Sequence, residues 1–407
     1  MLATLRYGND SQFTLDLEAD ALVAHCEAPR GEPLVDVATS LRAALDVPLD
    51  FPPLAQAVVP GDMVAIALDH AVPQADVLIA GIVDVLVAAK VRPEDITIVR
   101  TSADAQERAA DPRAQLAPEL LSKVQLLTHD PTSRDELAYL AASADSKPIY
   151  LSRAICEADV VIPVGVARID ASLGYAGPAT SVFPTFSDEQ TAGRYRAPRL
   201  LDSAERREKL RALAEEVSWL LGVLFAVEVV PGGGDRVLQI VAGRSDLVFA
   251  RSQSLCESAW SFSVPQRASV VVAAVEGANG CQTWENLARA LWAASQAVAE
   301  DGAIAILTDL AAELGPGTQR LRNADDVNQV LREIGQERPV DSLVAAELAH
   351  ALERGPLYLV SQLDENLVED LGIASVSDEE ELARLVSRHD SCILLANAQH
   401  AVARPEE

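Results

Sequence analysis

The chain has 407 residues, of which 49% are hydrophobic, and it carries a formal net charge of −28 at pH 7. This length exceeds a single ordinary core and predicts about two domains, and the hydrophobic content excludes an intrinsically disordered chain. The charge argues against nucleic acid or an anionic membrane as a partner, because both would repel an acidic surface.

The five cysteines are odd in number, far apart and without the spacing of metal ligands. They are expected to be small buried side chains in a reducing compartment. No stretch approaches the ~18 uninterrupted apolar residues of a membrane span, and the first residues lack the long apolar run of a signal peptide. We therefore expect a soluble, cytoplasmic protein. The sequence leaves its oligomeric state open.

Short β-type runs open the chain, at residues 3–7, 13–17 and 21–25. An alternation of strands and helices follows. Residues 63–68 are continuously apolar, as expected of a strand covered on both faces, and residues 75–90 have the apolar spacing of a helix. Three further buried strands are predicted at residues 96–99, 124–127 and 160–164. Such alternation implies a mostly parallel sheet with helices packed on it.

The second half of the chain continues this α/β pattern. Residues 201–221 have the spacing of an amphipathic helix, and Asp202 followed by Glu205 resembles a capping box at its start. Residues 227–241 predict a hairpin whose glycines at 232–234 supply the positive φ of a turn, which is favoured over a phosphate loop. Later elements are a helix at 246–260, strands at 269–275, 304–307, 357–360 and 392–395, and a helix at 284–299.

Polar residues follow the ends of four predicted strands. In open α/β sheets, ligands collect beyond the carboxyl ends of the strands. Two histidines and several aspartates there could bind a divalent metal or form a His–Asp proton-transfer pair. Alternatively, these side chains only satisfy local backbone groups. The candidate catalytic residues at this edge are Asp69, His70, His129, Asp130 and Asp170, beside the polar residues Thr101, Ser102, Asp104 and Arg168.

The segment from Cys156 to Pro184 is the most distinctive in the chain. It is an apolar strand followed by Gly-Tyr-Ala-Gly at 174–177 and Ser-Val-Phe-Pro at 181–184. It resembles the signature loop of the nickel-dependent lactate racemase family, in which an apolar strand precedes a His, a Gly-aromatic-Ser-Gly-Gly-Arg-Lys run and an apolar-Pro-Gly ending. Residues 148–159 and 276–280 resemble that family's approach to the strand and its Asn-Gly-Gly turn.

The resemblance implies a fold of two α/β domains with mostly parallel sheets that face a central cleft, with a short β-rich N-terminal segment. We expect residues 1–264 to form a lactate racemase-like N-terminal domain and residues 265–389 a smaller C-terminal α/β domain. Residues 390–407 could rejoin the first domain.

The resemblance also implies that the family's cofactor chemistry is missing. The lysine that carries the nickel pincer nucleotide matches Thr180, and a histidine that ligates the nickel matches Arg196. A hydroxyl cannot replace the amine in that attachment, and a guanidinium has no lone pair for a metal. We therefore expect no residue that binds the cofactor or the metal at these positions, and no nickel pincer nucleotide.

Other functional positions of the family are replaced as well. A catalytic histidine matches Asp170, and the stretch 101–105 lacks the second one. The family's arginine for the substrate anion matches Val72. Its substrate-contacting Tyr and Lys, four residues apart on a helix, match Leu287 and Leu291.

Three functional hypotheses follow. The first is a degenerate relative, a pseudoenzyme without racemase activity, that binds a small hydroxy acid or another anion in the cleft. The second is an isomerase, a racemase or epimerase, that acts on a 2-hydroxy acid through a different centre built from the five candidate residues. The third is a structural or interaction protein.

Overall fold

The computed structural model describes residues 2–406 except 19, 28, 107–109, 144–145 and 202. The strands are β1 Leu2–Tyr7, β2 Ser11–Asp16, β3 Leu22–Cys26, β4 Val64–Leu68, β5 Ile96–Arg100, β6 Gln125–Thr128, β7 Leu137–Ala142, β8 Pro148–Ser152, β9 Val160–Val166, β10 Arg168–Asp170, β11 Gly174–Ala176, β12 Phe225–Pro231, β13 Val237–Arg244, β14 Ser261–Val264, β15 Ala268–Ala274, β16 Val298–Leu307, β17 Leu357–Val360, β18 Ala374–Ser375, β19 Cys392–Leu395 and β20 Val402–Pro405. The helices are α1 Val37–Asp46, α2 Leu54–Ala57, α3 Ala75–Ala88, α4 Ser102–Gln106, α5 Pro118–Leu121, α6 Arg153–Cys156, α7 Pro178–Val182, α8 Glu189–Tyr195, α9 Ala204–Leu220, α10 Ser245–Trp260, α11 Trp284–Ala297, α12 Val327–Glu337, α13 Ser342–Arg354, α14 Glu365–Asp370 and α15 Glu379–Val386.

Two six-stranded sheets organise the chain. The first has the order β13-β12-β9-β4-β5-β6 and is parallel except for the edge strand β13, which is antiparallel to β12. The second has the order β18-β17-β16-β15-β19-β3 and is parallel throughout. The predicted α/β class is therefore confirmed. All five residues of β4 are buried, which explains why that strand is continuously apolar.

The second sheet takes strands from both ends of the chain. β19 pairs with β15 and with β3, so both the start and the end of the chain contribute to this sheet. β20 pairs with β14 beside it. Residues 392–395 thus lie in the second sheet, between β15 and β3. The expectation that residues 390–407 rejoin the first domain stays a prediction. A domain boundary at residues 264/265 stays a prediction.

The hydrophobic core has a layer on each face of each sheet. Leu41, Ile66 and Ile82 mark the layer beneath the first sheet, where α1 and α3 pack. The opposite face of that sheet packs against α7 and α9. On the second sheet, α11 and α13 cover one face, and the hairpin of β1 and β2 covers the other with Leu5 and Phe13. No helix in the described part of the chain is both long and apolar enough to cross a bilayer.

Two local predictions can be compared with the structure. The hairpin is confirmed, because β12 and β13 pair antiparallel around the glycines at 232–234. The helix predicted from residue 201 begins at Ala204, and Ser203 caps it by accepting a 3.4 Å hydrogen bond from the Arg206 amide. Asp202, the predicted cap, lies outside the described residues.

A close contact between β9 and α7 positions a carboxylate at the edge of the first sheet. A Cβ added to Gly165 would lie 2.3 Å from Ser181 Oγ. This hydroxyl donates a 3.2 Å hydrogen bond to Asp69 Oδ2. Any side chain at residue 165 would therefore displace the group that holds Asp69 in place.

We predict that Gly165→Ala lowers the free energy of unfolding by about 1–3 kcal/mol, the usual cost of overpacking a core. Gly280→Ala is the control, because a Cβ there meets no atom within 4 Å. Urea denaturation of both variants measures the difference. Equal stability of the two variants would show that the β9–α7 contact is not tight.

Candidate active site

A cavity of about 330 Å³ lies between elements of the two six-stranded sheets. We use first domain for the part of the chain built on the first sheet and second domain for the part built on the second sheet. The first domain contributes residues that follow the carboxyl ends of β4, β5, β6 and β9, as expected for a ligand site of an open α/β sheet. The second domain contributes α11 and α13. A second cavity of about 290 Å³ adjoins the first and shares Asp69, Arg168 and Arg289 with it. We call the first cavity the cleft.

Four of the five candidate residues line the cleft: Asp69, His70, His129 and Asp170. Asp130 does not. Its exposed carboxylate accepts hydrogen bonds from the Thr132 amide at 2.8 Å and the Thr132 hydroxyl at 2.7 Å. Asp130 therefore satisfies local groups of the turn after β6, which is the alternative interpretation that the sequence analysis left open.

His70 forms a hydrogen-bonded pair with Asp104. Its Nδ1 lies 2.8 Å from Asp104 Oδ1, and both side chains are largely buried. Asp104 also accepts hydrogen bonds from the Thr101 hydroxyl at 2.8 Å and the Ala71 amide at 3.2 Å. Burial raises the pKa of Asp104, but these bonds and the charge of His70 outweigh it and hold the pKa below its ordinary value. The carboxylate therefore stays ionised and orients the imidazole.

The other ring nitrogen of His70 faces the second domain. His70 Nε2 lies 3.7 Å from Glu285 Oε2, on the first turn of α11. Burial raises the pKa of Glu285, but the charges of His70 and Arg289 outweigh it and lower that pKa. The imidazole thus lies between a carboxylate of each domain, an arrangement that suits proton transfer.

Asp69 is a structural anchor for a cation. It is buried, and its Oδ1 accepts a 2.8 Å hydrogen bond from the His70 amide. Its Oδ2 accepts hydrogen bonds from Ser181 Oγ at 3.2 Å and from Arg168 Nη1 at 3.4 Å. Asp69 therefore fixes the position of the Arg168 guanidinium in the cleft wall.

His129 and Asp170 have more local partners. His129 Nε2 donates to the Ser187 carbonyl at 2.9 Å, which leaves Nδ1 with the ring's lone pair. Within the described residues Nδ1 is buried and has no hydrogen-bond partner. Burial lowers the pKa of His129 and keeps it neutral. Asp170 Oδ1 accepts three bonds from Ser172 and Leu173, so this carboxylate closes the turn after β10.

Two arginines from opposite domains face the cleft. Burial lowers the pKa of Arg168, but Asp69 and Asp170 outweigh it and raise that pKa. For Arg289 the balance is reversed, because burial and the positive charge of Arg168 lower its pKa despite nearby carboxylates. Arg289 donates to Asn286 Oδ1 at 2.7 Å and to Glu285 Oε2 at 3.3 Å. Among the described residues, Arg168 Nε is buried without a hydrogen-bond partner.

The residues of α11 that face the cleft are not the two that the sequence analysis matched to the family's substrate-contacting residues. Leu287 and Leu291, which matched the family's substrate-contacting Tyr and Lys, are 2% and 0% exposed and lie in the core of the second domain. The pair four residues apart that faces the cleft is Glu285 and Arg289. A charged i, i+4 pair on an otherwise apolar helix was the sequence signal for this face, and it was missed. A cation is therefore present on the cleft side of α11.

Asp104, Glu285 and Arg289 are among the polar residues of this site that the list of candidate residues omitted. Asp104 appeared only among the polar residues at strand ends, and it lies on α4, within reach of His70. Glu285 and Arg289 come from the other domain, so no local pattern in the first domain points to them. Trp292, one further turn along α11, lines the cleft as well.

A buried acid lies behind the arginines. Glu228, on the central part of β12, is fully buried, and its Oε2 accepts a hydrogen bond from Ser252 Oγ. Its Oε1 has no hydrogen-bond partner in the described part of the chain. Burial, partly offset by the Ser252 bond, raises the pKa of Glu228 to about 8. The side chain is therefore neutral at neutral pH.

This raised pKa predicts a pH-dependent stability. Because the folded-state pKa exceeds the ordinary value of 4.5, the contribution of Glu228 is full below that pH and is lost as the pH rises toward 8. We predict that Glu228→Gln gains stability relative to the wild type between pH 5 and pH 9, by at least about 1.4 kcal/mol. Denaturant unfolding at both pH values measures this. Glu208→Gln, at an exposed position, serves as the control. Parallel pH profiles of wild type and Glu228→Gln would contradict the prediction.

The residues at the two cofactor positions do not fit a nickel pincer nucleotide. Thr180 Oγ1 accepts a 2.9 Å hydrogen bond from the Gly177 amide and donates a 2.8 Å bond to the Gly177 carbonyl, so it caps its own helix. Arg196 Nη1 lies 2.6 Å from Glu189 Oε1 and offers no lone pair. Among the described residues there is also no group of three or more His, Cys, Asp or Glu side chains that could hold a metal ion.

Comparisons with known proteins agree with this fold. Residues 7–204 match the model of the lactate racemase N-terminal domain. The structure is similar to that of the lactate racemase apoprotein from Thermoanaerobacterium thermosaccharolyticum, with 17% identity, a TM-score of 0.80, and coverage of 99% of this chain and 100% of that one. It is also similar to a structural-genomics target from Thermotoga maritima, with 12% identity, a TM-score of 0.66, and coverage of 92% and 99%. Comparison with curated protein sequences finds no match.

Proposed function

We propose that this chain keeps the cleft of the lactate racemase family as a ligand-binding site with another function. The proposal starts from the match of residues 7–204 to the lactate racemase N-terminal domain, which the resemblance predicted. The chain binds a small carboxylate with an apolar substituent, and it does so without the nickel pincer nucleotide. The observation that carries this proposal is that Arg168 and Arg289 both line the cleft and that, among the described residues, Arg168 Nε is buried without a hydrogen-bond partner.

The carboxylate is recognised by the two arginines. Arg168 and Arg289 both line the cleft and repel each other. A carboxylate between two guanidinium groups receives charge-assisted hydrogen bonds and removes this repulsion. The nearby acids do not take over this role completely, because Asp69 is already shared with the His70 amide and Ser181. An anion bound between the two guanidinium groups therefore stabilises this arrangement of charges in the cleft.

The remainder of the ligand is apolar. The apolar residues that line the cleft include Trp292, Leu343 and Val344 of the second domain and Leu201 of the first. A volume of about 330 Å³ is at the lower end of the range for pockets that hold small organic ligands. A hydroxy acid with an aromatic or branched substituent contacts these apolar side chains, whereas a substituent as small as a methyl group leaves most of them without contacts.

We predict that phenyllactate binds at least ~10-fold more tightly than lactate, and that Arg289→Ala weakens phenyllactate binding by about 10- to 100-fold, which corresponds to the loss of a hydrogen bond to a charged group. Isothermal titration calorimetry measures both. Arg332→Ala, on the exposed face of α12, is the matched control and leaves the affinity unchanged. Retention of full affinity by Arg289→Ala would contradict carboxylate recognition at this position.

The proposed independence from the cofactor rests on Thr180 and Arg196. A threonine hydroxyl that caps a helix has no amine with which to tether a pyridinium derivative, and a cationic guanidinium paired with Glu189 is no metal ligand.

We predict that the protein, purified from cells grown with added nickel, has the intact mass of the unmodified polypeptide and less than stoichiometric nickel by elemental analysis. Mass spectrometry and metal analysis of the same sample test this. A covalent adduct together with one nickel per chain would show that the cofactor is retained through other residues.

The His70–Asp104 pair favours a second function, an isomerase acting on a 2-hydroxy acid. His70 lines the cleft beside Arg168, within reach of a bound ligand, and Asp104 orients its ring. In such a reaction His70 takes up the proton at Cα, and the ionised Asp104 stabilises the imidazolium that forms.

We expect that function to appear as exchange of the Cα hydrogen of phenyllactate with deuterium from the solvent, followed by NMR. His70→Ala would lower the exchange rate by about 10²- to 10⁴-fold, the usual contribution of a general base, and Asp104→Asn would lower it less. His389→Ala, outside the cleft, is the control. If binding occurs but no exchange is detected in the wild type, the chain is a binding protein and this second function is excluded.

A further inference from the structure

A depression of about 330 Å³ at the seam between the domains is lined almost entirely by cations. Its lining residues are Lys147, Arg194, Arg206, Lys209 and Arg338, together with Leu200 and Leu210. This composition contrasts with the whole chain, in which 61 acidic residues outnumber 33 basic ones. We call this depression the basic pocket. It is separate from the cleft and shares no lining residue with it.

The cations of the basic pocket come from distant parts of the chain. Lys147 precedes β8, Arg194 lies on α8, and Arg206 and Lys209 lie one turn apart on α9. Arg338 comes from the second domain, where it ends α12 in a left-handed conformation with φ of 52°. A Cβ added to Gly193 would lie 3.9 Å from Cβ and Cδ of Arg338, so the Arg338 side chain reaches α8 of the first domain.

Few acids neutralise this cluster. Lys209 Nζ pairs with Glu205 Oε1 at 2.7 Å, but both side chains are more than 70% exposed, and such pairs contribute little. Lys147, Arg194 and Arg206 form no ion pair with any residue that the structure describes. In the described part of the chain, Arg338 Nε donates to the Gly335 carbonyl at 3.4 Å and to no carboxylate.

We propose that the basic pocket is a binding site for the polyphosphate group of a nucleotide or of free polyphosphate. Five converging cations of one sign repel each other until a multivalent anion is present. Arginine suits bidentate contacts with phosphate oxygens, and lysine acts as a point charge beside them. A single carboxylate has too few charges and acceptors for this number of donors, whereas a chain of two or three phosphates has enough. Because Arg338 belongs to the other domain, such a ligand would connect the two domains.

Calorimetric titration of the full chain with tripolyphosphate, ATP and orthophosphate at low salt tests this proposal. We expect tripolyphosphate to bind at least ~10-fold more tightly than orthophosphate, with an affinity that falls as salt is added. Equal affinities for ATP and tripolyphosphate assign free polyphosphate as sufficient, and tighter binding of ATP assigns a nucleotide. Equal affinities for tripolyphosphate and orthophosphate would overturn the proposal.

The variants Lys147→Glu and Arg206→Glu change exposed side chains of the basic pocket. Each is expected to weaken tripolyphosphate binding by at least ~10-fold. Lys123→Glu is the matched control, since it makes the same change of charge at an exposed position outside the pocket. The variants are compared at about 0.15 M ionic strength, where the screening length is ~8 Å, so Lys123→Glu should leave the affinity within about twofold. Equal losses in all three variants, or no loss in the two pocket variants, would overturn the proposal.

Discussion

The proposed function depends on one electrostatic constraint, the repulsion between Arg168 and Arg289, which both line the cleft. Each guanidinium belongs to a different domain, and neither is fully exposed. Asp69 and Asp170 stabilise the charge of Arg168, but the pKa of Arg289 remains depressed by burial and by its neighbour. Two partly buried like charges are costly unless an opposite charge lies between them. In the proposed function, an anion that enters the cleft supplies this charge.

The residues around this pair fix the position of the Arg168 side chain. Its partner Asp69 follows β4, and the contact of Gly165 with Ser181 holds that carboxylate in place. Glu228 is buried on β12 and is neutral at neutral pH, so it adds no negative charge that would compete for Arg168. On the opposite side, Leu287 and Leu291 anchor α11 in the second core, and this packing directs Glu285 and Arg289 into the cleft. The apolar residues of one helix face thus determine where the charged residues of the other face lie.

Much of this architecture could be predicted from the sequence because it depends on local patterns. Continuous apolar runs predicted β4 and β9. The residues of the loop after β9 predicted the match of residues 7–204 to the lactate racemase N-terminal domain. Strand-end positions brought Asp69, His70, His129 and Asp170 to one cavity. What failed depended on contacts between distant residues. His70, which follows β4, pairs with Asp104 on α4, and Asp130, adjacent to His129, accepts hydrogen bonds from Thr132 instead of lining the cleft. The choice between Leu287 and Arg289 as the residue that faces the cleft required knowing which side of α11 is buried, and a linear match of motifs does not contain that information.

A crystal structure grown with 4-bromophenyllactate tests the central claim most directly, because the anomalous signal of bromine locates the ligand without bias. The account predicts a carboxylate within hydrogen-bond distance of both Arg168 and Arg289, and a bromine peak beside Trp292. A fully bound ligand whose carboxylate contacts neither guanidinium, or a bromine peak outside the cleft, would contradict it.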